Sequence, residues 1–376
     1  MRVGVFYPTL NVYGGGEFVA AVIANTLAKN NYEVILFNNE EVNQLEIKNF
    51  LGESLHPSIK VIVNPSLVTP RGLLDLYQTI FRSYTFKSKC DVWIDVYSCR
   101  VFPWTNICYM HFPFLNHYSY RPKFPYLKSR YIQPVGGLPW AILEKNLISD
   151  NGKLILANSR YTADEIKRFS GKRAMVLYPP VPSIFFEKNY EKLTENQREN
   201  LVVIVSRFDP TKELEKIPLI ALLTESDIRF AIIGRVHYAN TLLLLQKLVK
   251  KLDLVDRVQF LPNISKFEMK KILKSAKVYF HTRVGEHFGI SIAEAMAMGC
   301  IPIVHDSGGA KEFVPECFRY KTIYDAAKKI EKAVYEWSHI KAVEIVKIAE
   351  QFREENFATQ FMTLFEDYIN SSRKGS

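Results

Sequence analysis

The stretch Arg283-Val-Gly-Glu286-His287-Phe288-Gly289-Ile290-Ser-Ile-Ala-Glu294 runs on through Ala-Met-Ala-Met-Gly299-Cys300-Ile-Pro302-Ile-Val-His305-Asp306-Ser-Gly308-Gly309-Ala-Lys-Glu312. An extended apolar run over residues 277–282 precedes it. The spacing predicts a helix from about Ile290 to Met298, which Gly299 closes as a C-cap glycine does. Residues 301–305 predict another strand, leading into a paired-glycine turn. Strand, loop, helix, strand, loop is the repeating unit of an open α/β sheet, whose ligands sit at the carboxyl ends of the strands. Glu286 and Glu294 stand eight positions apart, one in the loop and one on the helix, so both can face one crevice. The backbone N–H groups of Gly289 and Ile290 fall at the helix start, where the dipole favours an anion. An ordinary βαβ unit with surface glutamates has the same local pattern, so the remainder of the chain has to decide.

A chain of 376 residues, 48% hydrophobic and 23% charged, is long enough for two or three globular domains with sizeable cores. Its five cysteines, Cys90, Cys99, Cys108, Cys300 and Cys317, form no C-x-x-C pair and read as reduced thiols of a cytosolic protein. The chain opens directly on a strand-like segment with no signal-peptide pattern. No apolar run reaches the ~20 residues of a membrane-spanning helix. A net charge of +10 suits an anionic ligand or a membrane surface. Nucleic acid ranks last as a partner, for want of zinc-finger spacing or a basic run.

Residues 201–206 form a β-branched strand that ends in Ser206-Arg207-Phe208-Asp209-Pro210-Thr211-Lys212-Glu213. Arg207 and Lys212 are five apart on the loop after that strand. Lone basic residues at such places are commonly solvated surface charges. Further strands are expected at 229–234, 257–261 and 277–281. The strongly apolar helix expected over 239–252 reads as core-facing. Ser265 is expected to cap the helix that follows residues 262–265. After Glu312 two amphipathic helices are expected. The last, over about 357–370, carries Phe357, Phe361, Leu364, Phe365 and Tyr368 at helical spacing, a packing stripe, and residues 371–376 read as a disordered tail.

In the first half, residues 2–8 and 34–37 read as strands, with an alanine-rich helix from about Glu17 to Lys29 between them. Gly14, Gly15 and Gly16 form a glycine-rich turn from the first strand into that helix, an anion cradle by geometry. The comparable nicotinamide-cofactor fingerprint wants a third glycine, and Val19 stands there; Glu40 and Glu41 near the second strand keep that alternative in view. His111 ends a strand expected over 106–111 and on position alone reads as a buried, satisfied histidine. His117 has no supporting pattern. Residues 112–147 interleave Phe112, Phe114, Tyr118, Tyr120, Phe124, Tyr126, Tyr131 and Trp140 with Arg121, Lys123, Lys128 and Arg130, broken by five prolines. This composition suits the interface of an anionic bilayer, and it equally suits a loop folded onto its own domain. Ser159 or Thr162 is expected to cap a helix through Phe169. The Tyr178-Pro179-Pro180-Val181-Pro182 run and the polar residues 187–200 mark a domain boundary.

These segments together resemble the family 4 retaining glycosyltransferases of the GT-B fold. The likeness covers nearly the whole length and is strongest at residues 206–213 and 285–312. Its closest flavour is that of the GDP-mannose-dependent mannosyltransferases that extend lipid-linked oligosaccharides on the cytosolic membrane face. It is carried by residues 286–290, His305-Asp306-Ser307-Gly308-Gly309 and Tyr178-Pro179-Pro180. The resemblance implies an α/β architecture of two Rossmann-like domains facing a cleft. Residues 1–185 would bind the acceptor, residues 186–345 the nucleotide-sugar, and the helix in 346–376 would cross back to the first domain. It implies transfer of a hexose, best read as mannose from GDP-mannose, to a lipid-linked or glycan acceptor by a cytoplasmic protein peripheral to a membrane. The alternatives are a UDP-hexose transferase on a soluble acceptor and a non-catalytic nucleotide-sugar binder. By the same likeness, Arg207 and Lys212 would neutralise the departing diphosphate without a metal or other cofactor. Glu286 would hold the donor sugar's hydroxyls, with His111 placing that sugar from the other domain. Gly14, Gly15, Gly16, His287, Phe288, Gly289 and Ile290 would line the donor, and Glu294 would take the ribose hydroxyls. The chain has no Asp-x-Asp with which the other glycosyltransferase architecture holds a divalent cation.

Overall fold

A computed structural model describes residues 1–52, 54–63, 84–97, 104–113, 152–187 and 198–374. The chain divides into two compact units: Met1–Pro180 with Glu354–Ser376, and Val181–Arg353.

The described residues of the first unit form strands β1 (Arg2–Phe6), β2 (Glu33–Asn38), β3 (Lys60–Val63), β4 (Val92–Asp95), β5 (Ile107–Met110), β6 (Leu154–Ala157) and β7 (Met175–Val176). Helices α1 (Gly15–Lys29), α2 (Gln44–Leu51) and α3 (Arg160–Ser170) accompany them. The strands are ordered β3-β2-β1-β4-β5-β6-β7 and every pair is parallel, with Val3 opposite both Val34 and Val92. Parallel strands covered on both faces read as unbroken apolar runs, which is why β1 and β5 are legible as buried strands. Ser159 caps α3, its hydroxyl accepting from the Thr162 N–H at 3.0 Å. Phe37, Phe86, Trp93 and Trp104 form an aromatic core, with Phe37 4.6 Å from both Phe86 and Trp93 between ring centroids.

The second unit repeats the plan. Its strands are β8 (Glu199–Val205), β9 (Arg229–Gly234), β10 (Val258–Pro262), β11 (Ala276–Phe280), β12 (Ile301–His305) and β13 (Arg319–Tyr320). Its helices are α4 (Lys216–Leu222), α5 (Ala239–Lys251), α6 (Lys266–Ser275), α7 (Ile290–Ala297), α8 (Ile323–Tyr335) and α9 (His339–Ala349). The order β10-β9-β8-β11-β12-β13 is again third-second-first-fourth-fifth-sixth, and all pairs are parallel. In each unit the order reverses between the first and fourth strands. That switch point opens a crevice at the carboxyl ends, the ligand position of doubly wound sheets. A capping box closes the start of α6: the Ser265 hydroxyl accepts from the Glu268 N–H, and the Glu268 carboxylate accepts from the Ser265 N–H.

Three expectations are corrected here. Helix α5 is not core-facing along its length: Leu245 and Val249 are buried, while Leu243 and Leu244 are 52% and 66% exposed. Four consecutive leucines span more of the helix circumference than one packed face can cover. Three helices follow Glu312 rather than two, because Ser338 starts a new one, its hydroxyl accepting from the Lys341 N–H at 3.3 Å. The last, α10 (Glu354–Lys374), also runs through residues 371–374, read above as tail. It lies on the first unit, with Phe357 against Tyr109, Phe365 against Tyr32, and the Tyr368 hydroxyl donating to the Gly152 carbonyl at 2.8 Å.

Candidate functional site

Strand β8 buries Val202, Val203 and Ile204 and then turns out of the sheet. Asp209 shapes that turn. Its Oδ1 accepts from the Thr211 N–H at 2.9 Å and from the Thr211 hydroxyl at 2.7 Å, capping a single 3-10 turn, Pro210–Lys212. Proline at the first position suits such a start, since its missing N–H has no partner there anyway. Glu213 closes the turn in the left-handed region at φ 54°, an uncommon setting for a residue with a side chain. The Thr282 hydroxyl, from the loop after β11, donates to the Lys212 carbonyl at 2.6 Å. The two loops at the switch point are thereby tied together.

Across this tie, Lys212 Nζ lies 3.4 Å from Glu286 Oε2. The same oxygen is 3.1 Å from His281 Nε2 and 3.6 Å from Arg283 Nη1. Burial opposes the charge on Glu286, but Lys212, Arg283 and His281 hold its carboxyl well below the usual carboxylate range. Burial also pushes the Lys212 ammonium down to about 8, aided by Arg283 and Arg207 and opposed by Glu286. His281 is lowered by burial, with Glu286 working the other way. Arg207 is exposed and makes no ion pair among the described residues. The arrangement is one partly buried carboxylate anchoring an ammonium and a guanidinium, with a second guanidinium, that of Arg207, open to solvent on the same turn as the ammonium. Such a set can meet a group that gains negative charge.

Behind Glu286, the chain enters α7 through Gly289, at φ +90°. The turn after β12 supports the same loop. Gly309 N donates to the Glu286 carbonyl at 2.8 Å, and Gly285 N donates to the Ser307 hydroxyl at 2.8 Å. A Cβ on Gly308 would stand 2.3 Å from that Glu286 carbonyl oxygen, so the approach needs glycine. Glu294, on α7 and 2% exposed, has Lys266 of α6 as its ion-pair partner.

Arg207, Lys212, Glu286, His287, Gly289, Ile290 and Glu294 thus all lie on the β8–α4 and β11–α7 connections or on α7 itself. Phe288 keeps its side chain in the core, tilted against Phe313 at 4.9 Å and edge-on to Phe352 at 5.1 Å, which leaves its backbone to face a ligand. Three partners of these carboxylates escaped the sequence reading: His281, Arg283 and Lys266. His281 and Arg283 flank Thr282 at the end of the expected strand, a signal that position alone offers weakly.

In the first unit, Gly14 caps α1 and its N–H donates to the Glu17 carboxylate at 2.9 Å, so one donor of the glycine cradle is already taken by an acid of the same helix. A Cβ on Gly16 would stand 2.6 Å from the Tyr7 hydroxyl and 3.1 Å from His111 Nε2, which places the helix start directly against the ends of β1 and β5. Burial lowers His111 to about 4, with a hydrogen bond to the Val96 backbone working the other way, so the ring is neutral near pH 7. Its Nε2 is buried with no hydrogen-bond partner among the described residues. A nitrogen so placed can accept from a donor such as a hydroxyl.

Residues 114–147, with His117 and most of the aromatic and basic run, lie outside the described residues. Among the described residues no helix is long and apolar enough to cross a membrane, and no group of histidine, cysteine, aspartate and glutamate is arranged to hold a metal ion.

Residues 185–354 match the family model of glycosyl transferases group 1. A Dictyostelium discoideum protein named GDP-Man:Man(3)GlcNAc(2)-PP-Dol alpha-1,2-mannosyltransferase is 25% identical over 309 residues, covering 72% of this chain and 61% of that protein. A Candida albicans protein of the same name is 28% identical over 373 residues, covering 81% and 60%. The chain thus spans about 60% of the length of these relatives. Among solved structures, Anabaena Alr3699/HepE in complex with UDP and glucose superposes with a TM-score of 0.71 at 16% identity over 98% of this chain and all of that one. WaaG, a glycosyltransferase involved in lipopolysaccharide biosynthesis, gives 0.70 at 13% identity over 94% and 95%. At such identities the structures speak for the fold alone. The repeated strand order and the solved neighbours give the chain the GT-B fold, and within it residues 185–354, nearly all of the second unit, are similar to glycosyl transferases group 1.

Proposed function

We propose that this protein is a retaining glycosyltransferase that moves mannose from GDP-mannose to a lipid-linked or other glycan acceptor at the cytosolic face of a membrane. The observation that carries the reading is the largely but not fully buried Lys212–Glu286 pair at the switch point, with exposed Arg207 on the same turn. The names of the relatives support the donor and the acceptor class. In this reading the second unit binds the donor and the first the acceptor.

Breaking a sugar–diphosphate bond leaves charge on the departing phosphate. Fixed cations in a partly dry site stabilise that charge without reorganising. Lys212 and Arg207 supply it, and the N–H groups at the start of α7, unpaired inside the helix, add their dipole. Glu286 keeps Lys212 aimed and retains capacity on Oε1, which accepts only a 3.2 Å bond from the His287 N–H among the described residues, for a sugar hydroxyl. Glu294 offers acceptors for two ribose hydroxyls once Lys266 yields or shares its oxygen. His111 Nε2 accepts from a hydroxyl. No metal or other cofactor takes part.

The test is a donor panel on the full chain, read by nucleotide release, with a diphosphate-linked oligosaccharide lipid in vesicles. GDP-mannose should turn over at least tenfold faster than UDP-glucose, and product should retain the anomeric configuration. EDTA should leave the rate unchanged. Preference for a UDP-hexose with a free sugar acceptor would replace this reading, and donor binding without turnover would reduce the protein to a binder.

A further inference from the structure

The turn that carries Arg207 and Lys212 is laced to the loop after β9. Ser206 N donates to the Ile233 carbonyl at 2.8 Å, Phe208 N to the Arg235 carbonyl at 2.9 Å, and Tyr238 N to the Phe208 carbonyl at 3.0 Å. Gly234 permits this approach, since a Cβ there would stand 1.8 Å from the Ser206 carbonyl oxygen. The lacing brings His237 onto Asp209, with Nδ1 2.9 Å from Oδ2, while the Tyr238 ring packs edge-on to the imidazole at 4.8 Å. The other oxygen of Asp209 is committed to Thr211. Both carboxylate oxygens are therefore occupied.

Arg207, two residues before Asp209, has no such commitment: it is exposed and without an ion pair among the described residues. Asp209 is the acid nearest to it in sequence, and the guanidinium already acts on it. Burial opposes the charge of Asp209, yet His237, Thr211 and Arg207 hold its carboxyl below the usual range. A carboxylate released from His237 would have one oxygen free, and Arg207, two residues away, can offer it a charge-assisted N–H pair in place of the bond it lost.

We propose that His237 is a positioning residue for the diphosphate turn: by holding Asp209 in its cap, it denies Arg207 a local counterion and leaves that guanidinium for an anionic ligand. The inference rests on the reading of Arg207 as a donor-phosphate contact and adds to it the residue that keeps the contact available. The other charges around the turn are Lys212, Glu213, Lys216, Arg235, Arg283 and Glu286; of the acids, Glu213 pairs with Lys216 and Glu286 with Lys212 and Arg283.

Two measurements on the full-length protein test it. Phenylglyoxal labelling of Arg207, mapped by peptide mass spectrometry, reports whether the guanidinium is free. Calorimetric titration with GDP and with inorganic pyrophosphate reports whether it can be used. In His237→Ala, labelling should slow and both ligands should bind about tenfold more weakly, the loss typical of a hydrogen bond to a charged group. His237→Asn, whose amide can donate to Asp209, should behave as the unaltered protein. The double variant His237→Ala with Asp209→Asn should recover both signals, because an asparagine still caps Thr211 and carries no charge for Arg207. A merely structural histidine would show no such recovery. Should the alanine variant fail to fold, His237→Phe keeps a ring, lacks the donor and takes its place. Unchanged labelling of Arg207 in a folded variant, or a double variant no better than the single, overturns the proposal. An unaltered protein that binds neither GDP nor pyrophosphate instead overturns the donor-site reading, while the labelling series still decides what His237 does to Arg207.

Discussion

Lys212 is useful only while it carries a proton, and its surroundings make that conditional. Burial and the neighbouring Arg283 and Arg207 disfavour the charged form, Glu286 favours it, and the balance sits at about 8. Its charge is therefore full below that value and is lost as pH rises through it. We expect kcat/KM, which reports the free enzyme, to fall above about pH 8. In Lys212→Arg the guanidinium stays protonated throughout, so the alkaline fall should vanish even though its rigid fork fits the site less well and lowers the rate. A pH–rate profile checks this; an alkaline limb unchanged in the arginine variant would count against Lys212 as its source. Glu294→Ala should weaken nucleotide binding about tenfold, by loss of a charged acceptor for hydroxyls. Equal GDP affinity in that variant would remove Glu294 from the site. The positions of these residues were legible because each stands at a fixed offset from a strand end or a glycine. Their partners were not. That Glu286 would collect His281 and Arg283 as well as Lys212, or that Lys266 would reach Glu294 from another helix, depends on how loops fold back over one another. No spacing in the sequence encodes that. Phe288 shows the converse: it lies inside the motif, yet its apolar ring goes where apolar area is best buried, against Phe313 and Phe352.

The elements were read best where a single period held. Strands β9 and β12 fall on the expected apolar runs 229–234 and 301–305, since a strand covered on both faces needs no polar alternation. Helix α5 misled because composition was taken for packing. Four leucines in a row look like a core helix, but only the face that carries Leu245 and Val249 is buried. A substitution such as Leu244→Gln should accordingly change stability by no more than about 0.5 kcal/mol. Helix α10 is the opposite case. Its aromatic stripe was correctly read as packing, and Phe361, fully buried, stacks near Phe357 and Phe365 at 6.2 and 6.0 Å. Phe361→Ala leaves a cavity as well as lost transfer energy, for a cost of about 3–5 kcal/mol. Urea unfolding of the two variants separates these expectations, and comparable losses in both would contradict the packing described for α5 and α10.

At the scale of the molecule, the two units share one strand order but differ in how the chain enters them. Val181–Arg353 is continuous, whereas the first unit needs Glu354–Ser376 to come back to it. Helix α10 covers Tyr32 and Tyr109 there, and Phe352, at the end of the second unit, packs against Phe288 and Phe313 just behind the Glu286 loop. The second unit therefore contains Arg207, Asp209, Lys212, His237, Glu286 and Glu294 together with the aromatic support of their loops. It lacks His111 and Gly14–Gly16. A fragment of residues 181–353 should fold on its own, bind GDP within about tenfold of the full chain, and transfer no sugar. Residues 1–180 without the last helix should be unstable, because removing α10 exposes the aromatic rings it covers, each worth roughly 1.5–3 kcal/mol of burial. Circular dichroism and calorimetry on the two fragments check both halves of the statement. A folded 181–353 fragment that ignores GDP would show that the nucleotide is held by residues of the first unit, and would move the donor site away from the Lys212–Glu286 pair.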